Sequence, residues 1–159
     1  MIDKALLPER NRIVELLAVL TKESRALEDV RRRLFVNGAI APDWLAGLDE
    51  RPHDADMVES FAARFGRMQD TLGDKLFPRF LNFSGEKAGP MIDNLNKLEK
   101  LQFVPSAARW MAMRALRNKL VHEYLEDEVG FAEALNSANQ FVDEMVKVYA
   151  SIEEYVDQK

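Results

Sequence analysis

The sequence predicts an all-α protein, an antiparallel bundle of about five helices. Three observations carry this. Apolar residues recur at three- and four-residue steps in five separate segments, the period of a single buried helix face. No segment alternates apolar and polar residues as a half-buried strand does. Proline, glycine and asparagine fall mostly between the periodic segments, where helices start and stop. At 159 residues, 47% of them hydrophobic, the chain reads as one domain, 1–159, with enough material for a real core.

Pro8 suits a first helical turn, where its missing N–H costs nothing. Ile13, Leu16, Leu17, Leu20, Leu27, Val30 and Leu34 follow at helical spacing, and Asn37-Gly38 supplies the stop. Arg31-Arg32-Arg33 has two readings, a phosphate contact or a solvated helix end favourable to the macrodipole, and the second is preferred. Residues 39–55 hold Pro42, Gly47 and Pro52 and read as a connector packed down by Trp44, Leu45 and Leu48. His53-Asp54-Ala55-Asp56 is read as an N-cap rather than a metal site. Asp56 stands three residues before Glu59, and no second histidine lies nearby.

The second helix carries Met57, Phe61, Phe65, Met68, Leu72 and Leu76 as a core stripe, and Pro78 is expected to bend or end it. Ser84-Gly85 and Gly89-Pro90 bracket a loop. Pro90 then starts a third helix with Met91, Leu95 and Leu98 inward. Val104-Pro105-Ser106 opens the fourth. The fifth shows Phe131, Leu135, Ala138, Phe141 or Val142, Met145, Val148, Ile152 and Tyr155.

Several function classes are disfavoured. There is no cysteine, hence no disulfide framework and no thiolate zinc site. No apolar run approaches a membrane span, and the first residues lack a secretory layout, so a cytoplasmic protein away from membranes is expected. A net charge of −5 argues against indiscriminate nucleic-acid binding. No internal repeat, glycine-rich phosphate loop or serine-nucleophile elbow is present.

One stretch departs from this ordinary picture. Residues 101–121 carry Arg109, Arg114, Arg117 and Lys119 and no acid, whereas residues 122–159 hold ten acids against two lysines. The change falls at His122, one of 2 histidines in the chain. On a wheel of about 100° per residue, Ala112, Met113, Leu116 and Leu120 gather on one side, taken as the core. Trp110, Arg114, Arg117, Asn118, Val121 and, at the edge, His122 gather on the other. Large apolar residues among arginines suit a partner-facing surface, although a tryptophan covered by the connector fits the same pattern. Asn118 and His122 are four apart, so an amide–imidazole bond can orient the ring. Arg117 and His122 are five apart and diverge by about 140°. They do not form a simple pair on one helix.

Arg117-Asn118-x-x-x-His122-x-Tyr124 on the fourth helix of an all-α chain resembles the R-x4–6-H signature of the HEPN superfamily. More narrowly, it looks like the R-x4-H-x-Y of HepT-type toxins. By this chain's own residue frequencies the string arises by chance on the order of once in several thousand such chains. The resemblance covers the architecture of most of the chain, but identifiable residues only here. It implies a helical bundle that dimerises so that two motifs line one cleft, and a metal-independent endoribonuclease without cofactor. It also implies a partner, a minimal nucleotidyltransferase antitoxin that adds AMP to the motif tyrosine, here Tyr124.

The residue types suit that chemistry. RNA is cut without metal by its own 2′-hydroxyl if a base removes that proton and an acid protonates the leaving 5′-oxygen; histidine serves both roles near neutral pH. Arginine suits the phosphorane-like charge. The expected roles are therefore Arg117 on phosphate, His122 as acid/base and Asn118 orienting it. Arg114, Arg64 and Arg67 are candidates for further phosphate contacts, and Asp70 for a supporting carboxylate. A homodimer would supply the second histidine. The alternative is a non-catalytic HEPN subunit that holds a nucleotide or docks the transferase.

Overall fold

The computed structural model describes residues 6–122 and 127–159, without the side chains of Val121 and His122. All regular structure in them is helical, and the helices pack as an all-α bundle. Helix α1, Leu7–Leu34, starts with Pro8 in its first turn and ends before Gly38, whose φ of 89° lies in the left-handed region that glycine tolerates. It buries Ile13, Leu17, Leu20, Leu27, Val30 and Leu34. Arg31 is not part of a solvated end. It donates to both oxygens of Asp143 at 2.8 and 2.9 Å and to the Asn139 carbonyl at 3.1 Å. Those bonds hold the Asp143 carboxyl below its ordinary range and raise the guanidinium's pKa. Arg32 and Arg33 remain exposed.

The connector contains a short helix α2, Pro42–Leu45, and a 3₁₀ turn, Leu48–Glu50. Ile40, Leu45 and Leu48 are buried and Trp44 is half-buried. The Asn136 amide anchors the connector in both senses, accepting from the Ile40 N–H at 2.8 Å and donating to its carbonyl at 2.9 Å.

Helix α3, Pro52–Asp70, begins four residues before the expected Asp56 cap. Pro52 occupies the first turn, where no N–H has to be satisfied, so the start needs no side-chain cap. Asp56 is an exposed interior residue. Nor does Pro78 end the rod. The chain widens into a π-helical turn, Thr71–Leu76, and continues as α4, Phe77–Phe83. In an α-helix the Pro78 ring would crowd the carbonyl of Asp74, and the widened turn lies at that point.

Helix α5, Met91–Lys100, follows Pro90 as expected, and its buried Asn94 brackets the Gly89 backbone with bonds of 2.8 and 3.0 Å. Helix α6, Ala107–His122, starts after Ser106, whose Oγ accepts from the Arg109 N–H at 3.0 Å. Helix α7, Glu128–Asp157, is capped by Asp127, which accepts from the Gly130 N–H at 3.0 Å.

The core joins these elements through a chain of rings. Phe61 and Phe65 of α3 lie 6.1 Å apart, Phe65 and Phe141 of α7 6.4 Å, Phe141 and Trp110 of α6 5.1 Å, and Trp110 and Phe77 of α4 5.0 Å. Trp110 is thus a buried node of the core and not an outward contact residue. Among the described residues, no helix is long and apolar enough to cross a membrane.

Candidate functional site on the sixth helix

Burial along α6 sets its true orientation. Ala107, Trp110, Met113 and Leu120 are buried, whereas Ala108, Ala112, Ala115, Asn118 and Lys119 are exposed. At about 100° per residue, the core side is turned by roughly 70° from the one expected, and Ala112 faces outward. The reason lies in the neighbours. Ala112 has little apolar area to hide, while Trp110 fills the space between Phe77 and Phe141.

Arg117 stands seven residues after Trp110, almost the same angular position two turns on. It therefore points inward, toward α3, and its side chain is 33% exposed. Asp70 of α3 accepts a hydrogen bond from Arg117 Nη1. Gly66, one turn earlier on the same face of α3, lies beneath the guanidinium. A Cβ added to Gly66 would meet Arg117 Cζ and Nη2 at 3.5 Å and Nε at 3.6 Å. Arg114 repeats the pairing one turn away, donating to Asp74 at 3.0 Å. Passing from Asp70 at the end of α3 to Asp74 in the π-helical turn that continues it thus descends α6 from Arg117 to Arg114, so the two run antiparallel here. Arg109 donates to Glu144 at 2.7 Å and lies over the Phe141 ring. The three arginines that made residues 101–121 look basic each face a carboxylate from another element.

The other candidates separate. Arg64 reaches α1, donating to the Ala26 carbonyl at 2.6 Å with Asp29 at 3.9 Å. Arg67 is exposed and lies near Glu23 of α1. Neither is gathered with Arg117. Asn118 is exposed on the outer face of α6. The backbone of residue 122 is helical, turned about 140° from Arg117 around the axis. The expected Asn118–His122 bond involves a side chain outside the described residues, and Tyr124 lies outside them altogether. Sequence reasoning missed Gly66 and Asp74. The signal available was the matched pair of spacings, Asp70 and Asp74 four apart against Arg114 and Arg117 three apart, which aligns two helix faces.

Two clefts flank Arg117. One, of about 350 Å³, lies between α3 and α6, with Val58, Ala62, Ala63 and Gly66 opposite Leu120 and Arg117, and with Glu59 among its residues. The other, of about 370 Å³, lies along Met111, Arg114, Ala115 and Asn118 and is also lined by Arg117. The guanidinium thus borders both. Among the described residues, no group of three or more His, Cys, Asp or Glu is placed to hold a metal ion. No protein-family model, curated protein or solved structure matches the chain.

Proposed function

We propose that this chain is a metal-independent endoribonuclease toxin of the HEPN type, acting as a homodimer and neutralised by a minimal nucleotidyltransferase. The single observation that supports it is the setting of Arg117. The first residue of the R-N-x3-H-x-Y string is a partly exposed guanidinium, braced by Asp70 over Gly66 at the border of two surface clefts. A fixed planar fork of donors is what the dianionic transition state of RNA cleavage requires.

In this reading a base removes the 2′-hydroxyl proton, and O2′ attacks the adjacent phosphorus. The P–O5′ bond breaks, and an acid protonates the leaving oxygen. The products are a 2′,3′-cyclic phosphate and a 5′-hydroxyl. With one motif histidine per chain, His122 supplies base and acid from two chains unless water takes one role, in agreement with its divergence of about 140° from Arg117 on one helix. The outward face of α6, with Ala108, Ala112 and Ala115 exposed, has the small side chains that let a second helix approach closely. Tyr124, two residues after His122 in the sequence, is the position at which AMP addition would neutralise the toxin.

A second reading has an observation of its own. Arg109, Arg114 and Arg117 are all paired with carboxylates, which reduces the charge open to RNA. That favours a non-catalytic subunit that docks a nucleotidyltransferase.

The test is expression alone and together with a minimal nucleotidyltransferase, where the neighbouring gene encodes one, followed by RNA cleavage by the purified chain and by His122→Ala. The toxin reading requires growth arrest relieved by the partner, 2′,3′-cyclic ends, and their loss in the variant. Undiminished cleavage by His122→Ala would sink it. Absence of both toxicity and cleavage would select the docking subunit.

A further inference from the structure

The cleft between α3 and α6 is built unevenly. Its α3 wall is Val58, Ala62, Ala63 and Gly66, small or apolar throughout, and Leu120 faces it from α6. Arg117 sits at the Gly66 end, and Glu59 is exposed at the other. From residue 59 to residue 66 is seven residues along a helix, about 10 Å. The cleft is therefore a short apolar slot with a cation at one end and an anion at the other.

The donors of Arg117 are divided in a way that matters. Its bond to Asp70 uses Nη1, whereas Nη2 and Nε have no hydrogen-bond partner among the described residues and lie above Gly66, which lines the slot with Arg117. That Nε–Nη2 edge is a planar pair of donors suited to two oxygens of one phosphate.

We infer that the α3–α6 slot is a base-binding subsite for one nucleoside monophosphate unit, its phosphate on the Nε–Nη2 edge of Arg117 and its base lying between Leu120 and the alanines. A volume near 350 Å³ suits one nucleotide and is too small for a base pair. The flat, π-faced body of a base fills an apolar slot whichever base it is. A purine, being longer, reaches Glu59, whose carboxylate accepts from an exocyclic amine. This inference rests on the reading that Arg117 takes phosphate, and it adds that the adjoining nucleotide must be unpaired.

The experiment measures binding of AMP, UMP, adenosine and inorganic phosphate to the full chain by calorimetry, with Ala63→Leu, Glu59→Ala and Arg117→Ala beside it. AMP should bind at least tenfold more tightly than phosphate or adenosine alone. Ala63 is exposed, so Ala63→Leu keeps the helical circular dichroism while filling the slot; it should lower AMP affinity to that of phosphate and leave phosphate unchanged. Glu59→Ala should weaken AMP severalfold and UMP little. Arg117→Ala should remove the phosphate contribution. Tetra-adenylate binding more tightly than AMP marks an RNA chain as the natural source, and equal affinity marks a free nucleotide.

AMP binding no tighter than inorganic phosphate overturns the subsite and leaves the role of Arg117 standing. Undiminished AMP affinity in Ala63→Leu also overturns it, as does a variant that changes only the dimerisation constant, since the slot would then hold a second copy. Nucleotide binding as described, with no RNA cleavage, instead removes the ribonuclease reading and keeps the subsite.

Discussion

Asp70 and Arg117, 47 residues apart in the chain, meet across the α3–α6 seam directly above the bare backbone of Gly66. The arginine is thereby held by a carboxylate on one side and left uncovered on the other. Both partners are about a third exposed, at 33% and 40%. An ion pair this open contributes less than about 1 kcal/mol to stability. Asp70→Asn should therefore leave the thermal midpoint almost unchanged. On the proposed ribonuclease reading it should lower the rate at saturating RNA by roughly tenfold, because the guanidinium loses its fixed direction. Cleavage rates equal to the parent's would reduce the pair to a surface contact.

Gly66 makes a sharper test, because it separates room from charge. A methyl there meets the guanidinium at 3.5 Å, an ordinary contact. Gly66→Ala should stabilise the chain by about 0.5–1 kcal/mol through helix propensity and, on the proposed ribonuclease reading, retain cleavage. Gly66→Leu should displace Arg117 from Asp70 while the fold persists, and on the same reading abolish cleavage. Unfolding curves and cleavage assays on both variants check this, and loss of cleavage in the alanine variant would contradict it.

Trp110 belongs to stability and not to recognition. It is 1% exposed between Phe77 and Phe141, so Trp110→Ala should cost about 3–5 kcal/mol in denaturant unfolding. Its buried indole N–H has no hydrogen-bond partner among the described residues. Trp110→Phe thus forfeits no bond and should cost less than about 1.5 kcal/mol. A surface-like response to Trp110→Ala would mean that α6 is turned the other way.

Glu23 of α1 gives a pH test. Burial pushes its carboxyl above the usual 4.5, more than Thr71, Arg67 and Lys75 pull it down, and its Oε1 is buried without a partner among the described residues. A raised carboxyl binds its proton more tightly in the folded chain. Its stabilising contribution is full below the unfolded value and lost as pH rises through the folded one. Glu23→Gln should therefore raise the thermal midpoint at pH 7, and its advantage over the parent should shrink toward pH 4.5. A constant difference across that range would remove Glu23 as the cause.

The fold was legible because α1, α3 and α7 each concentrate their large apolar residues on one side. Ile13, Leu17, Leu20, Leu27, Val30 and Leu34 of α1 are all buried as the periodicity predicts. Helix α6 was not legible to the same degree. Alanines, methionines and leucines surround it on nearly every side, so its apolar pattern has little contrast. Its orientation is decided by a tryptophan that fits between two distant rings and by carboxylates 40 and 47 residues away. The sequence of one helix carries no record of such partners. Asp70 was legible as a helix residue with a charge to use; the glycine that lies beneath Arg117 was not.

The π-helical turn at Thr71–Leu76 has a consequence for how this rod tolerates change. Below it, α3 faces α1 and α6; above it, α4 faces α1 and α5. A widened turn accommodates about one residue more than an α-helical turn, and one residue is about 100° of rotation. The turn therefore works as a phase shifter, setting the two halves of one continuous rod at different rotations about its axis, so that both pack on α1 while α3 takes α6 and α4 takes α5. Deleting a single residue there would leave the rod helical, yet swing Phe77, Phe80 and Leu81 out of the core and carry Asp74 away from Arg114.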